Sequence, residues 1–303
     1  MKLVTSSLLA RLRGRRVVLP NFLIIGVSKG GTTWLFHLLR QHPDVYMAGQ
    51  GEILKEADLA RFVPKAKEPH FFDSLREMET LGLKGYSRKY FENGREEKAI
   101  GEASGSYLLV PDGPEDLVVP ARDFNPDIPA TVRETLGPNT RLIVSLRNPT
   151  DRFISWAFQH KKIYPQKTGT YIVHQEARRG QLYLGFYYRH LTRWRQYFDP
   201  ANFSVLIYEE DIERNRRMTA HKLTRFLGVD EFEFQGMDEH YNVRQPYRQE
   251  GDDFYIRKVS RPDEWELFIS AKEVKRLRDL YQDVPKKTGE LLGRDLSIWE
   301  EHG

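Results

Sequence analysis

Cysteine is absent from this 303-residue sequence. Disulfide bonds, a catalytic thiolate and cysteine-ligated metal sites are therefore all excluded. Long apolar runs are also missing, since no stretch is long enough to cross a bilayer. A chain without cysteine suits a reducing compartment, and we expect a cytoplasmic protein.

An excess of charge of one sign occurs only at the N-terminus. The whole chain has a net charge of +4 and a pI near 9.0. Its first twenty residues contain no acid and five basic side chains: Lys2, Arg11, Arg13, Arg15 and Arg16. Without those five charges the net charge would fall to about −1, so no nucleic-acid partner is expected. We interpret residues 1–20 as a basic arm, either solvated or touching a membrane surface or a carrier protein, and residues 21–303 as one domain.

The stretch from Phe22 to Pro43 is the most informative part of the chain. It reads FLIIGVSKGGTTWLFHLLRQHP, which predicts a buried strand, a glycine-containing turn and a helix. A turn of small residues at a helix N-terminus binds anions, because free backbone N–H groups and the helix dipole both favour negative charge. Lys29 adds a positive charge, and Thr32 and Thr33 add hydroxyl donors.

Further apolar segments define the fold class. RLIVSL at 141–146 and FSVLIY at 203–208 read as buried strands, each followed by a predicted helix, and short strands are expected at 45–47 and 99–102. Strands that alternate with helices favour a parallel sheet. We therefore predict an α/β fold with a central, mostly parallel sheet flanked by helices, in a P-loop-like three-layer architecture.

The order of residues in the turn separates two kinds of phosphate loop. A nucleoside-triphosphate loop places its lysine after the glycines and directly before the hydroxyl residue. Here Lys29 comes before Gly30 and Gly31. A second block follows the strand at 141–146: Arg147 stands at the strand end, and Ser155 lies on the second turn of the next predicted helix, so that both side chains can face one anion.

These two blocks together resemble sulfotransferases that use 3′-phosphoadenosine 5′-phosphosulfate (PAPS). KGGTT at 29–33 is similar to the 5′-phosphosulfate loop of that family, and RNP at 147–149 with Arg152 and Ser155 is similar to its 3′-phosphate motif. EPHFFD at 68–73 resembles a block of the heparan-sulfate-type branch, and GRDL at 293–296 with Trp299 resembles its terminal segment. GEAS at 101–104 departs from that branch, which has a lysine where Ala103 stands.

The resemblance implies a role for each candidate residue. Lys29 would stabilise the leaving 5′-phosphate, and either Glu68 or His70 would be the base that deprotonates the acceptor hydroxyl. The expected cofactor-binding residues are Lys29, Gly30, Gly31, Thr32, Thr33, Trp34, Arg147, Ser155, Tyr208, Asn242 and Arg244. The candidate acceptor-site residues are Glu102, Ser104, Tyr183 and Tyr187. The reaction would yield adenosine 3′,5′-bisphosphate (PAP), would need no metal, and would act on an alcohol of a carbohydrate, lipid or natural product.

Two other classes remain open at this point. One is a P-loop phosphotransferase or NTPase with the same loop geometry. The other is a nucleotide-binding scaffold without catalytic activity. Several candidates also have plain structural interpretations: Glu102 as a strand-end charge, His70 and Trp34 as core residues, and Tyr183 and Tyr187 as helix packing.

Overall fold

The computed structural model describes residues 17–50, 68–94, 97–111, 123–163, 180–237, 247–258, 261 and 263–300. The predicted basic arm lies outside these residues except for 17–20. Within the described part, no helix is both long and apolar enough to span a membrane. The chain divides into two compact units, the first comprising Met1–Val110, Arg122–Leu146 and Arg193–Tyr241, and the second Pro111–Ala121, Arg147–Thr192 and Asn242–Gly303.

The first unit is built on a five-stranded parallel sheet with the strand order β2-β3-β1-β4-β5. Its strands are β1 (Phe22–Gly26), β2 (Val45–Met47), β3 (Ala99–Ala103), β4 (Arg141–Leu146) and β5 (Phe203–Ile207). Its α-helices are α1 (Thr32–Leu39), α2 (Leu75–Phe91), α3 (Ile128–Leu136) and α6 (Arg216–Leu227), and a π-helix covers Tyr208–Arg214. The predicted α/β fold with a parallel central sheet is confirmed.

The central position of β1 follows from its composition. All five of its residues are buried, as expected for a strand covered on both faces. It pairs in parallel with β3 on one side and β4 on the other. Since parallel strands end at the same edge of a sheet, the turns that follow β1 and β3 lie next to one another.

The second unit contains a three-stranded antiparallel sheet, which the sequence analysis did not predict. Its strands are β6 (Tyr247–Glu250), β7 (Asp253–Arg257) and β8 (Trp265–Ile269). Its helices are α4 (Pro149–Ile163), most of α5 (Tyr187–Trp194), α7 (Ala271–Tyr281) and α8 (Val284–Leu292). Phe158 of α4 packs against Phe254 and Phe268 of the sheet, with ring centroids 6.0 and 5.0 Å away.

Candidate active site

The turn between β1 and α1 is held by the neighbouring strand β4. Val27 N–H donates to the carbonyl of Ser145 at 2.9 Å, and the Ser145 hydroxyl donates to the carbonyl of Gly30 at 2.5 Å. Gly30 N–H closes the turn by donating to the carbonyl of Val27 at 2.8 Å. A Cβ at Gly30 would lie 2.4 Å from the Ser145 carbonyl oxygen, so only glycine fits there.

Two residues of this turn have left-handed backbone conformations. Lys29 has a φ of 72°, and Gly31 has a φ of 87°. A non-glycine residue in this region is uncommon and costs conformational energy, and such residues concentrate at functional sites. The only other non-glycine residue with positive φ in the described chain is His70, at 51°.

The N-terminus of α1 has the features of an anion site. Gly31 occupies the N-cap position, none of the described side chains caps the helix there, and the first turn contains no acid. The first backbone N–H groups of a helix have no intrahelical acceptor and attract negative charge. Thr32 and Thr33 follow at the first two helical positions and are buried.

Tyr208 lies against this turn, and Trp34 lies in the core. A Cβ at Gly31 would approach the Tyr208 ring to 3.1 Å, which places that ring beside the helix N-terminus. Trp34 is 5% exposed and belongs to the apolar cluster that α1 and α6 form with the parallel sheet. The Arg216 guanidinium lies 5.9 Å from its ring centroid.

The turn after β3 lies beside the β1–α1 turn and also contacts His70. Ser28 N–H donates to the carbonyl of Gly105 at 2.9 Å. On one side of Gly105, the Ser104 hydroxyl accepts the backbone N–H of His70 at 3.2 Å. On the other side, the Ser106 hydroxyl lies 3.1 Å from Nδ1 of His70. The turn at 104–106 therefore separates the lysine-bearing turn from the histidine.

Three ionisable side chains form a chain of contacts through His70. Its Nδ1 lies 3.0 Å from Oδ2 of Asp73, and its Nε2 lies 3.4 Å from Oε2 of Glu68. Burial lowers the pKa of His70, but the hydrogen bonds and charges of Asp73 and Glu68 raise it more, to about 10. The imidazole is therefore protonated at neutral pH and donates to both carboxylates, so it has no vacant site for another proton.

Asp73 and Ser106 are two members of this cluster that the sequence analysis did not select. Asp73 is buried and accepts a short hydrogen bond from the Ser106 hydroxyl. The signal for Asp73 was present, because it lies three residues after His70 within the EPHFFD block. No local pattern marks Ser106, since its contact with Asp73 spans 33 positions of the chain.

Glu102 and Ser104, predicted as acceptor-site residues, have no exposed surface. The Glu102 carboxylate accepts hydrogen bonds from Ser104 at 2.8 Å, from Tyr107 at 3.1 Å and, over a short distance, from Tyr86. Burial raises the pKa of Glu102 to about 7, against the opposing effect of these three donors. Neither residue is therefore positioned to touch an acceptor in this structure.

The second predicted anion motif lies in the second unit. Arg147 follows β4 directly, and Ser155 is a buried residue of α4. Unlike α1, helix α4 is capped, because the Asn148 side chain accepts the N–H groups of Thr150 and Asp151 at 3.0 and 3.2 Å. An anion at this motif would therefore be bound by side chains rather than by the helix end.

Other predicted residues of this unit are structural or lie outside the described part. Arg152 is fully buried and donates to the side-chain and backbone oxygens of Gln181. Tyr183 and Tyr187 are buried, and the Tyr187 hydroxyl donates to the carbonyl of Arg147 at 2.7 Å. The predicted cofactor-binding residues Asn242 and Arg244 lie outside the described residues.

Comparison with known proteins identifies the family. The family model described as "Sulfotransferase domain" matches residues 19–250, so the chain belongs to the sulfotransferase domain family. Human heparan sulfate glucosamine 3-O-sulfotransferase 6 is 29% identical over 227 residues, which is 69% of this chain and 52% of that protein. Mouse heparan sulfate glucosamine 3-O-sulfotransferase 3A1 is 25% identical over 296 residues, or 93% of this chain and 65% of that protein. The chain thus spans between about half and two thirds of the length of these relatives.

Solved structures agree with the fold. A sulfotransferase from Alicyclobacillus acidocaldarius superimposes with a TM-score of 0.62 at 22% identity, covering 94% of this chain and all of that one. Mouse SULT7A1, solved in complex with PAP, gives a TM-score of 0.51 at 16% identity over 99% of this chain and 95% of that one. The family and the architecture predicted from the sequence are both confirmed.

Proposed function

We propose that this protein transfers a sulfuryl group from PAPS to the hydroxyl of an acceptor. One observation carries the proposal. Within the first unit, the turn at 104–106 makes contacts on two sides. Gly105 accepts the N–H of Ser28 from the lysine-bearing turn, and Ser104 and Ser106 contact His70 of the Glu68–His70–Asp73 cluster. The turn that carries Lys29 and the cluster that carries the Glu68 carboxylate therefore lie on either side of one short turn.

The residues around the β1–α1 turn fit the 5′-phosphate of such a donor. The helix end is uncapped among the described side chains, carries no acid and begins at a left-handed glycine, so backbone N–H groups are available to phosphate oxygens. We assign Gly30, Gly31, Thr32 and Thr33 to holding that phosphate. Tyr208 borders the same turn. Lys29 would neutralise the charge that grows on the leaving phosphate.

The 3′-phosphate is assigned by family resemblance. Arg147 offers a planar guanidinium suited to phosphate, and Ser155 offers a hydroxyl donor. Asn242 and Arg244 are proposed for the same nucleotide on the basis of sequence alone. Because α4 is capped by Asn148, we expect Arg147 and Ser155 to account for most of the phosphate affinity of this motif.

The charge state of His70 supports Glu68 as the base. An imidazole that is protonated at neutral pH cannot accept the proton of an acceptor hydroxyl, whereas the carboxylate of Glu68 can. Glu68 is 41% exposed at its side chain, so an acceptor can reach it. PAPS supplies an activated sulfuryl group, whose S–O bond to the 5′-phosphate breaks as one to the acceptor oxygen forms. His70, fixed by Asp73, orients the Glu68 carboxylate that takes the proton.

The acceptor is proposed only as a class. The curated relatives act, by their names, on heparan sulfate glucosamine. The heparan-type branch that the sequence resembles has a lysine at the position of Ala103, and Ala103 is fully buried in the apolar cluster of the first unit. We therefore propose an alcohol of a carbohydrate, lipid or natural product, without the basic contact that a heparan chain would meet there. A cytoplasmic location remains a prediction from the absence of cysteine.

A ligand comparison tests the donor assignment against the two alternative classes. PAP should raise the melting temperature of the protein, and ATP with Mg²⁺ should raise it far less. One reason is that Lys29 precedes Gly30 and Gly31, unlike the lysine of an ATP-binding loop. The other is that Glu102, the acid of the strand beside β1, is enclosed by hydroxyl donors and so is not placed to hold Mg²⁺. Equal stabilisation by ATP would instead indicate a phosphotransferase or NTPase. Binding of PAP without transfer from labelled PAPS to any glycan, lipid, phenol or aliphatic alcohol would indicate a scaffold.

Substitution of Lys29 tests its proposed role directly. Lys29→Ala should lower transfer by at least about 100-fold, the scale of losing one charge-stabilising donor. Lys275→Ala is the matched control, since Lys275 is a 73% exposed lysine that pairs with Asp279 of its own helix. Near-normal turnover by Lys29→Ala would remove this lysine from the mechanism.

A further inference from the structure

A buried carboxylate lies beneath the backbone of the proposed active-site histidine. Glu102 belongs to β3, pairs in register with Leu23 of β1 and is fully buried. Three hydroxyl groups donate to it, from Tyr86, Ser104 and Tyr107. These contacts satisfy the carboxylate without a positive charge, which distinguishes it from an ordinary ion-paired acid.

Two of these hydroxyls also hold three consecutive backbone amides. The Ser104 hydroxyl accepts the N–H of His70 at 3.2 Å. The Tyr107 hydroxyl accepts the N–H groups of Phe71 and Phe72 at 2.9 and 3.2 Å. The backbone at residues 70–72, in which His70 has a φ of 51°, is therefore hydrogen-bonded to two hydroxyl oxygens. Each of those hydroxyls donates its own hydrogen to Glu102.

The chemistry of a hydroxyl makes this arrangement directional. A hydroxyl has one hydrogen to donate and two lone pairs to accept with. Above its raised pKa of about 7, the Glu102 carboxylate only accepts; when it takes that hydrogen, the lone pairs of the hydroxyl are left for the backbone N–H groups. An amide in place of the carboxylate would offer donors of its own and let the hydroxyl rotate away.

We propose that Glu102 is a positioning residue, which sets the backbone at residues 70–72 through Ser104 and Tyr107 and so holds the His70 imidazole between Glu68 and Asp73. This inference rests on the proposed function, in which that imidazole orients the base. It replaces the predicted acceptor-binding role of Glu102, which its full burial does not support.

Tyr86 provides a matched control for the test. Its hydroxyl donates to the same carboxylate, but among the described residues it accepts no amide of residues 70–72. Tyr86→Phe and Tyr107→Phe each delete one buried hydroxyl oxygen and keep the ring. A general loss of core stability would therefore affect both variants, whereas loss of positioning would affect only Tyr107→Phe.

The direct readout is the titration of His70 by NMR in histidine-labelled full-length protein, with the signal assigned by its absence in His70→Gln. In the native protein and in Tyr86→Phe the imidazole should titrate near pH 10, because it keeps both carboxylate contacts. In Tyr107→Phe and Glu102→Gln the midpoint should fall by at least one pH unit. The inference is overturned if Tyr107→Phe leaves the His70 midpoint unchanged, or if Tyr86→Phe lowers it equally.

Kinetics gives a second readout that depends on the proposed function. Tyr107→Phe should lower kcat for sulfuryl transfer about tenfold or more while the Kd for PAP changes less than twofold, and Tyr86→Phe should keep kcat within about twofold. Parallel changes in Kd and kcat would contradict a positioning role. If the native protein transfers no sulfuryl group, the proposed function fails, while the NMR result still decides the role of Glu102.

Discussion

Replacement of Gly31 by alanine offers a quantitative test of the anion turn. Gly31 is the N-cap of α1, with φ 87° and ψ 11°, a left-handed conformation. An L-residue in this conformation costs about 1–2 kcal/mol. The new Cβ would also lie 2.8 Å from Cδ1 of Ile212 and 3.1 Å from the Tyr208 ring, and overpacking of this kind costs about 1–3 kcal/mol. We therefore expect Gly31→Ala to lower the free energy of unfolding by about 2–5 kcal/mol.

Gly228 supplies the matched control for backbone strain. It ends α6 in a left-handed conformation, with φ 67° and ψ 31°, and its added Cβ would meet only Nη2 of Arg141 at 3.4 Å, an ordinary contact. Gly228→Ala should therefore cost only the strain of about 1–2 kcal/mol. The difference between the two variants isolates the crowding beside Tyr208.

Equilibrium urea unfolding and calorimetric titration with PAP measure the two consequences. Gly31→Ala should lose more stability than Gly228→Ala, and it alone should bind PAP more weakly, because a displaced helix end no longer directs its N–H groups at a phosphate. The reasoning is wrong if both variants lose the same stability and both bind PAP as the native protein does.

The remaining predictions concern individual hydrogen bonds and pH. Ser145→Ala should lower the free energy of unfolding by about 1–3 kcal/mol, because it leaves the buried carbonyl of Gly30 without its hydroxyl donor. Thermal unfolding would check this result. The control is Ser204→Ala, which removes a buried hydroxyl that has no hydrogen-bond partner in the described structure. Asn148→Ala should lower the free energy of unfolding by about 1–2 kcal/mol, because it removes a helix cap and the side-chain hydrogen bond to the carbonyl of Trp299. Melting followed by circular dichroism would detect this loss, and a change below about 0.3 kcal/mol would contradict it. The raised pKa of His70 contributes stability that is complete below its ordinary pKa of 6.5 and is lost as pH rises to about 10. The stability difference between the native protein and His70→Gln should therefore shrink over that range in urea unfolding series, and a difference independent of pH would refute the assigned charge.

The parts of the fold that could be predicted are those in which burial leaves a simple pattern. Strands covered on both faces are continuous apolar runs, so β1 and β4 were evident from FLIIG and RLIVSL. The antiparallel sheet was missed because its first strand, YRQE, is exposed throughout and reads as a polar loop. Helix α8 was missed because it begins at Val284 next to a proline and contains a glycine, which together resemble a turn.

The candidate site was predictable where one motif contains it and not where the fold assembles it. The left-handed Lys29 follows from no local preference, since two glycines stand directly after it and lysine does not favour that conformation. The charge of His70 depends on Asp73 and Glu68 of the same block, whereas the contacts of both His70 and Asp73 with Ser106 arise only from the turn after β3. Glu102 was selected as an acid near the site, and only the structure reveals that hydroxyl groups enclose it.

The two strand-to-helix junctions differ in what completes them. Helix α4 brings its own acceptor, because the Asn148 side chain occupies the place of an N-cap. Helix α1 has no such side chain among the described residues, so a bound phosphate would be its cap. Phosphate binding there would stabilise the folded helix through linkage, by about 2.7 kcal/mol at a ligand concentration of 100 times Kd. Hydrogen exchange of the first-turn amides of α1 should slow by a matching factor of roughly one hundred when PAP binds.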